Sequence, residues 1–398
     1  MNYKKSPFQS FWMGGFECSD QINCYGNRVD LLTETDHINQ LQTDYKMLKR
    51  MGISTVREGI RWTSVEMQPY SYNFDTVKFM MDTGRQQGIQ QIWDLCHFGF
   101  PDDLSPLHPQ FTARFVDLCK AFATFFVQNY GKEKLIITPI NEVSFISWLG
   151  GDAAGTVPFC KNEGWNVKYK MMQAYIEGIR CLKAINPNFK ILTTEPLVSM
   201  VPRLDANEDE VLRAKTSHEN QFQVLEILIG NSCPELGGKP EYIDIIGLNF
   251  YYNNQWVHNS IEGNFLPWAN ENKDPRWRPL SSLIEEVYQR YSYPIILAET
   301  SHSGEDRPHW INFIAKQCKV VLEKNIPFWG ICLYPIIDRP DWDHLNDWHH
   351  SGLWDHEPEQ GSARILNEEY AIAIRQSQRL LKSSHTSLLK KLITFITS

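Results

Sequence analysis

The sequence predicts an α/β protein folded as a single (β/α)8, or TIM, barrel. Three observations carry this expectation. Eight short apolar runs alternate strictly with eight longer amphipathic segments. Polar residues gather just past the apolar runs, where barrels place their functional groups. No linker rich in Pro, Gly or Ser divides residues 6–378. A length of 398 residues permits two or three domains, but a barrel with loop insertions reaches it as one. The expected organisation is a barrel over 6–382 and a C-terminal tail or short amphipathic helix over 383–398.

The strands are read at 11–16, 54–57, 89–96, 135–140, 190–194, 242–249, 294–298 and 327–333. Most are near-continuous apolar runs, as a parallel strand buried on both faces requires. Helical periodicity covers 36–51, 75–87, 111–130, 166–185, 210–229, 279–291, 308–324 and 367–382. In the third of these, Phe111, Phe115, Leu118, Phe122, Phe125 and Phe126 recur at three- and four-residue steps, an apolar stripe made to face a sheet. Two connections are long: 196–215 after strand 5, and 253–278 after strand 6 with Trp256, Trp268 and Trp277. Connections that follow strands lie on the C-terminal face, where barrels bind ligands. A doubly wound open sheet is the alternative, but no GxGxxG follows the first strand and no Walker A motif is present.

Composition narrows the function. Hydrophobic residues at 42% and charged residues at 22% are globular values, which excludes a mainly disordered chain. The net charge of −8 argues against a nucleic-acid surface, which needs clustered Lys and Arg. No run of about 18 apolar residues suggests a transmembrane segment, and no apolar stretch follows Lys4-Lys5 as a secretory signal would require. Nine cysteines without a CxxC pair suggest neither a zinc ribbon nor a disulfide framework, so a reduced, cytoplasmic compartment is expected. Aromatic content is high, with 13 Trp, which points to stacking surfaces or to a large aromatic core.

The polar residues past the strand ends are Glu17, Arg57, Asp94, His97, Asn141, Glu142, Glu195, Asn249, Tyr251, Glu299, Asp338 and Asp341. Carboxylates dominate this rim. Strand 1 ends in Glu17-Cys18-Ser19 rather than the His-x-His of barrel metallohydrolases, and 341–350 fits neither an EF-hand nor HExxH. No catalytic metal or other cofactor is therefore expected. No GxSxG elbow is present either. Two glutamates remain: Glu142 at the exit of strand 4 and Glu299 at the exit of strand 7. Strands three apart in a ring of eight bring these side chains face to face across the barrel mouth. Facing carboxyls are the equipment of glycoside hydrolysis.

The motifs around them resemble glycoside hydrolase clan A, and most closely family 1, the β-glucosidase type, in a divergent and shortened form. Thr138-Pro139-Ile140-Asn141-Glu142 resembles the T-x-N-E-P box, and Leu297-Ala298-Glu299-Thr300 resembles I/V-T-E-N-G. The resemblance implies a retaining β-glycosidase with Glu142 as acid/base and Glu299 as nucleophile. It implies Arg57 and Tyr251 as the groups beside the nucleophile, from Val56-Arg57-Glu58-Gly59-Ile60-Arg61-Trp62 and Gly247-Leu248-Asn249-Phe250-Tyr251-Tyr252. Sugar contacts are implied for Gln21, His97 and Asn141, and for Asp341 and Trp342 in the segment that follows strand 8.

Several positions depart from the family pattern. Asp341 stands in place of Glu, Tyr334-Pro335 in place of Trp-Ser, Phe98 in place of Trp, Thr300 in place of Asn and Val143 in place of Pro. Tyr334 thereby joins the expected sugar contacts, and the identity of the sugar is left open. No Lys lies between Asp338 and Gln360, which disfavours a 6-phospho-sugar. With sugar as the substrate class, Trp62, Trp342 and Trp348 beside strand ends are expected to line the site, as are the tryptophans of the strand 6 loop. The expected activity is exo-hydrolysis of a small glycoside or short glycan. A transglycosidase on the same residues and a carbohydrate-binding pseudo-enzyme are the alternatives.

Overall fold

The structure, a computed structural model, describes residues 6–259, 265–269, 274–357 and 363–396, with only the backbone described for residues 357 and 383–396. Eight strands close a barrel: β1 (Trp12–Gly15), β2 (Thr55–Gly59), β3 (Gln90–Cys96), β4 (Ile136–Ile140), β5 (Lys190–Pro196), β6 (Ile245–Asn249), β7 (Ile295–Thr300) and β8 (Phe328–Leu333). Every neighbouring pair is parallel, and β8 pairs with β1 to complete the ring. The (β/α)8 expectation is met, and each expected apolar run overlaps one barrel strand.

The interior is packed by side chains that recur at every second position. Met13, Ile92, Ile136, Leu192, Ile245, Ile296, Ala298 and Cys332 form one buried cluster inside the ring. A larger apolar cluster fills the space between strands and helices. The main helices are α1 (His37–Arg50), α2 (Asp75–Gln87), α3 (Phe111–Tyr130), α4 (Gly164–Ile185), α5 (Glu208–Glu219), α6 (Leu280–Tyr291), α7 (Arg307–Glu323) and α8 (Glu368–Ile396). The phenylalanine stripe of α3 is buried at Phe111, Phe115, Phe122 and Phe126.

Three boundaries differ from expectation. The segment expected as one helix over 210–229 is split, because a 3-10 turn at Asn220–Phe222 separates α5 from a short helix at Gln223–Leu228. Residue 242 closes a 3-10 turn begun by Pro240, so β6 starts only at Ile245; Pro240 lacks the N–H that a ladder needs. The last helix continues past residue 382 as one element to Ile396. Among the described residues no helix is long and apolar enough to cross a membrane.

The two long connections are tied together on the C-terminal side: Ser199–Val201 pairs in parallel with Gln255–Val257. Parts of the second, 260–264 and 270–273, lie outside the described residues.

Candidate active site

Strand periodicity carries most of the polar rim into the barrel mouth. Ile92, Ile136, Leu192 and Ile245 face the interior. The positions two and four residues on therefore face it too, which brings Asp94, Thr194 and Asn249 inward at the strand ends. Glu142 shares the parity of Ile136 and leaves β4 in a left-handed conformation with φ 47°. Glu299 breaks the pattern. Ile296 and Ala298 point inside, so strict alternation would turn Glu299 toward the helices. Instead the pairing of β7 with β6 shifts register between Leu297 and Glu299, and its pairing with β8 shifts between Leu297 and Thr300. Such an irregularity re-aims a side chain at a strand end, and Glu299 reaches Arg57 in the mouth.

Arg57 is the hub. Its Nη1 donates to Glu299 Oε1 at 2.9 Å and to the carbonyl of Ala298 at 2.9 Å. Its Nη2 donates to Asp94 Oδ2 at 2.6 Å and to Asn141 Oδ1 at 3.2 Å. The guanidinium is 1% exposed, so these partners, not water, balance its charge. Tyr251 donates its hydroxyl to the other oxygen of Glu299 at 2.8 Å. Burial first, and then the neighbouring carboxylates Glu299 and Glu142, push the Tyr251 phenol well above its ordinary range, which keeps it a donor.

Glu142 sits in a different environment. Asn249 donates Nδ2 to Glu142 Oε1 at 2.8 Å. Burial, followed by the like charge of Glu299, pushes the Glu142 carboxyl well above the usual carboxylate range; the Asn249 hydrogen bond opposes this and Glu195 adds to it. The two carboxyls of the mouth are thus separated in character: one is held by an arginine and a phenol, the other is disposed to keep a proton. Glu195 is buried as well and is pushed up to about 7 by burial, against the Ser144 amide that donates to it at 3.2 Å.

Asn141 is oriented without ambiguity. Thr194 Oγ1 donates to Asn141 Oδ1 at 2.6 Å, as does Arg57, so the amide nitrogen faces His97 Nε2 at 3.2 Å. The ring donates Nδ1–H to Asp94 Oδ2 at 3.0 Å, and its Nε2 also lies 3.5 Å from Glu17 Oε1. Burial opposes the charged ring, but Cys18, Asp94 and Glu17 around it hold the imidazole well above its ordinary range. His97 is held between protein partners on both nitrogens. Its ring lies parallel to Tyr334, with centroids 5.8 Å apart. Tyr334 packs beneath Arg57, and its hydroxyl donates to Glu17 Oε1 at 3.4 Å. A glycine at 15 is what admits this ring, since a Cβ there would lie 2.0 Å from Tyr334 Cδ2.

Gln21 is 2% exposed, and neither its amide oxygen nor its nitrogen has a hydrogen-bond partner. The indole Nε1 of Trp342 and Oδ1 of Asn249 are likewise buried and unpartnered. Such atoms are costly unless a ligand or water satisfies them. Trp342 packs its edge against Phe98 at 5.4 Å and lies 6.1 Å from Phe145. Asp341 turns differently: it accepts from the amides of Asp343 and His344 and from His349 Nε2 at 3.1 Å, within its own loop.

The structure therefore gathers Glu142, Glu299, Arg57, Tyr251, Asn141, His97 and Tyr334 into one network, with no direct contact between Asp341 and that network. Asp94, Thr194 and Asn249 hold it together, and Glu17 borders it. Sequence reading placed Asp94, Asn249 and Glu17 on the rim without a role, and it passed over Thr194 inside its strand. The expectation for tryptophan needs correction. Trp62 is fully buried among Phe100, Phe111 and Phe115. Trp268 leans on Trp310 and Phe313, Trp277 is buried against Phe250, and Trp348 stacks on His356 at 4.5 Å. Of the tryptophans expected at the site, Trp342 borders it through Phe98, the neighbour of His97; most of the others are packing residues.

Comparison with known proteins identifies the family and the fold. The sequence model of glycosyl hydrolase family 1 matches residues 19–231, more than half of the chain. Lactase/phlorizin hydrolase of Homo sapiens is 23% identical over 148 residues, which is 36% of this chain and 8% of that protein. A family 1 β-glucosidase from Thermotoga maritima superimposes with a TM-score of 0.73 at 14% identity, covering 96% of this chain and 99% of that one. An AHE enzyme from Alicyclobacillus herbarius gives 0.71 at 15% identity, covering 87% and 88%. At such identities the structural likenesses speak for the barrel alone.

Proposed function

This chain belongs to glycosyl hydrolase family 1, and from that premise we propose a retaining β-glycosidase, exo-acting on a small glycoside or short glycan, with Glu142 and Glu299 as its two working carboxyls. One observation carries the reading. Asn249 and Tyr251, two residues apart at the exit of β6, each donate to a different glutamate, so one short segment ties both carboxyls to the same pocket.

In the first step Glu299 attacks the anomeric carbon while Glu142 passes its proton to the leaving oxygen, and the glycosidic bond breaks. A covalent glycosyl-enzyme results. In the second step Glu142, now ionised, takes a proton from water; the water oxygen attacks the same carbon and frees Glu299. Two inversions give net retention. Arg57 and Tyr251 each donate to a different oxygen of Glu299 and so orient it, which supports its role as nucleophile. The raised pKa of Glu142 supports its role as the acid. Asn141 has its amide oxygen held by Arg57 and Thr194, which leaves its amide nitrogen to serve the sugar 2-hydroxyl, a contact that strengthens in the transition state. Gln21 and the Trp342 indole offer unpaired hydrogen-bonding groups to further hydroxyls. Both glutamates lie deep, at 8% and 4% exposure, which favours approach by the end of a glycan over its middle.

The experiment is a panel of aryl β-glycosides (glucoside, galactoside, mannoside, fucoside) with the product anomer followed by NMR. Release of the β-anomer first supports the reading. Release of the α-anomer, or no turnover on the whole panel, overturns it. Product analysis with added acceptor sugars separates hydrolysis from transglycosylation.

A further inference from the structure

Beyond β8 the chain carries Asp341 and Trp342 in a loop between Asp338 and His350, closed at its base by the His349 amide, which donates to the Arg339 carbonyl at 3.1 Å. The two ends meet. Asp338 is fully buried, and its Oδ1 accepts from the Ser351 amide at 2.9 Å. Its Oδ2 has no hydrogen-bond partner, yet it lies 3.6 Å from His350 Nδ1. The same nitrogen is 3.7 Å from Asp355 Oδ1, which belongs to the strand Trp354–Glu357. Ligand atoms of all three residues lie within 4.8 Å of one another.

A buried carboxylate oxygen without a donor is expensive. The site as built from protein atoms alone leaves that oxygen unsatisfied. A cation at the centre would satisfy it. In a tetrahedral zinc site with bonds of roughly 2.0–2.1 Å, neighbouring ligand atoms stand about 3.3–3.4 Å apart. The observed 3.6 and 3.7 Å separations need little closure to reach that value. One imidazole and two carboxylates suit Zn2+ and other first-row divalent ions better than Ca2+ or Mg2+, which prefer oxygen alone.

The electrostatics permit a divalent ion. Arg307 donates to Asp355 Oδ1 at 2.7 Å and to the Gly352 carbonyl at 2.9 Å, so it already neutralises one of the two carboxylates. The two carboxylates and the Arg307 guanidinium together bring a net charge of about −1 to the centre. A cavity of about 400 Å3 lined by Arg307, His350, Asp355 and Glu368 adjoins the site and gives room for water as a fourth ligand. His350 is more than half exposed, which leaves a path of entry.

We propose that Asp338, His350 and Asp355 form a divalent-cation site of zinc type that clasps the two ends of the loop carrying Asp341 and Trp342. Binding of the ion stands apart from the glycosidase reading; only its consequence, a firmer sugar-recognition loop, rests on that reading.

The test uses the full chain after EDTA treatment, dialysed against Zn2+ or Co2+ alone. The expected result is about one ion per chain, a visible ligand-field spectrum with Co2+, and a rise in Tm with Zn2+. His350→Ala and Asp338→Asn should each lose the ion and the Tm gain, and His309→Ala, which alters an exposed histidine elsewhere, should keep both. Should Asp338→Asn fail to fold, His350→Ala decides, because its ring is largely solvated. An absent ion, or one retained by His350→Ala, overturns the proposal. Removal of the ion should raise KM for an aryl glycoside several-fold with a smaller change in kcat. Ion binding without turnover on any glycoside leaves the site standing and defeats the glycosidase reading, and turnover without ion binding does the reverse.

Discussion

Asn249 donates its side-chain amide to Glu142 Oε1 at 2.8 Å, while its own backbone stands in register with Glu299 on the neighbouring strand. One residue thus touches the proton-holding carboxyl and adjoins the strand that bears the other. Removing its donor should move the alkaline limb of kcat/KM. The Asn249 bond favours the ionised form of Glu142, so Asn249→Ala raises that pKa. A hydrogen bond of about 1 kcal/mol corresponds to roughly 0.7 of a pH unit. A pH–rate profile in which the limb stays in place or moves downward counts against the assignment of Glu142 as acid.

Glu142→Gln and Glu299→Gln should each lower turnover of an activated aryl β-glycoside by on the order of 10³-fold. Azide should restore much of the rate to Glu142→Ala by attacking the glycosyl-enzyme in place of activated water. Wild-type rates in either glutamine variant would sink the two-carboxyl mechanism.

Tyr251→Phe removes only the hydroxyl that donates to Glu299 Oε2. A hydrogen bond to a charged group contributes about 1.5–3 kcal/mol, so kcat should fall roughly 10- to 150-fold with the fold intact. Steady-state kinetics together with an unchanged urea midpoint would separate this from misfolding.

Gly15→Ala tests the packing beneath the site. The added Cβ would meet the Tyr334 ring, which is itself stacked on His97 and buried. Overpacking of this kind costs about 1–3 kcal/mol, read as a lower urea midpoint. Activity should fall beyond the stability loss, because Tyr334 cannot move without disturbing His97 and Glu17.

Glu195 links stability to pH. Its folded pKa is about 7 against an ordinary 4.5, so the folded state binds the proton more tightly than the unfolded chain. Its contribution is fully present below about pH 4.5 and is lost as pH rises through about 7. Glu195→Gln carries no such penalty. Relative to wild type, the variant should gain on the order of 2–3 kcal/mol between pH 4 and pH 8, measured by urea unfolding at both. Parallel wild-type and variant curves would show that Glu195 does not titrate in this range.

The alternation of apolar runs and amphipathic segments was enough to read the barrel, because a parallel strand covered on both faces and a helix covered on one leave different local periods in the chain. Strand-end positions were enough to read Glu142, Arg57, Asp94, Asn141 and Asn249 as mouth residues. All of that is local information. Glu299 was read as a mouth residue on the same ground, but the physical reason was hidden: its own strand alternation points it outward, and the register shifts against β6 and β8 turn it to Arg57. Which tryptophans pack and which border the pocket was equally hidden, since burial of Trp62 depends on phenylalanines from other segments. The orientation of Asn141 rests on donors from β2 and β5. By itself, then, the sequence determined the fold class and the residue types at each strand end. Where those side chains aim, and which polar atoms are left for a ligand, was decided only when strands distant in the chain were paired, because a bulge and a hydrogen-bond partner are properties of two strands and not of one.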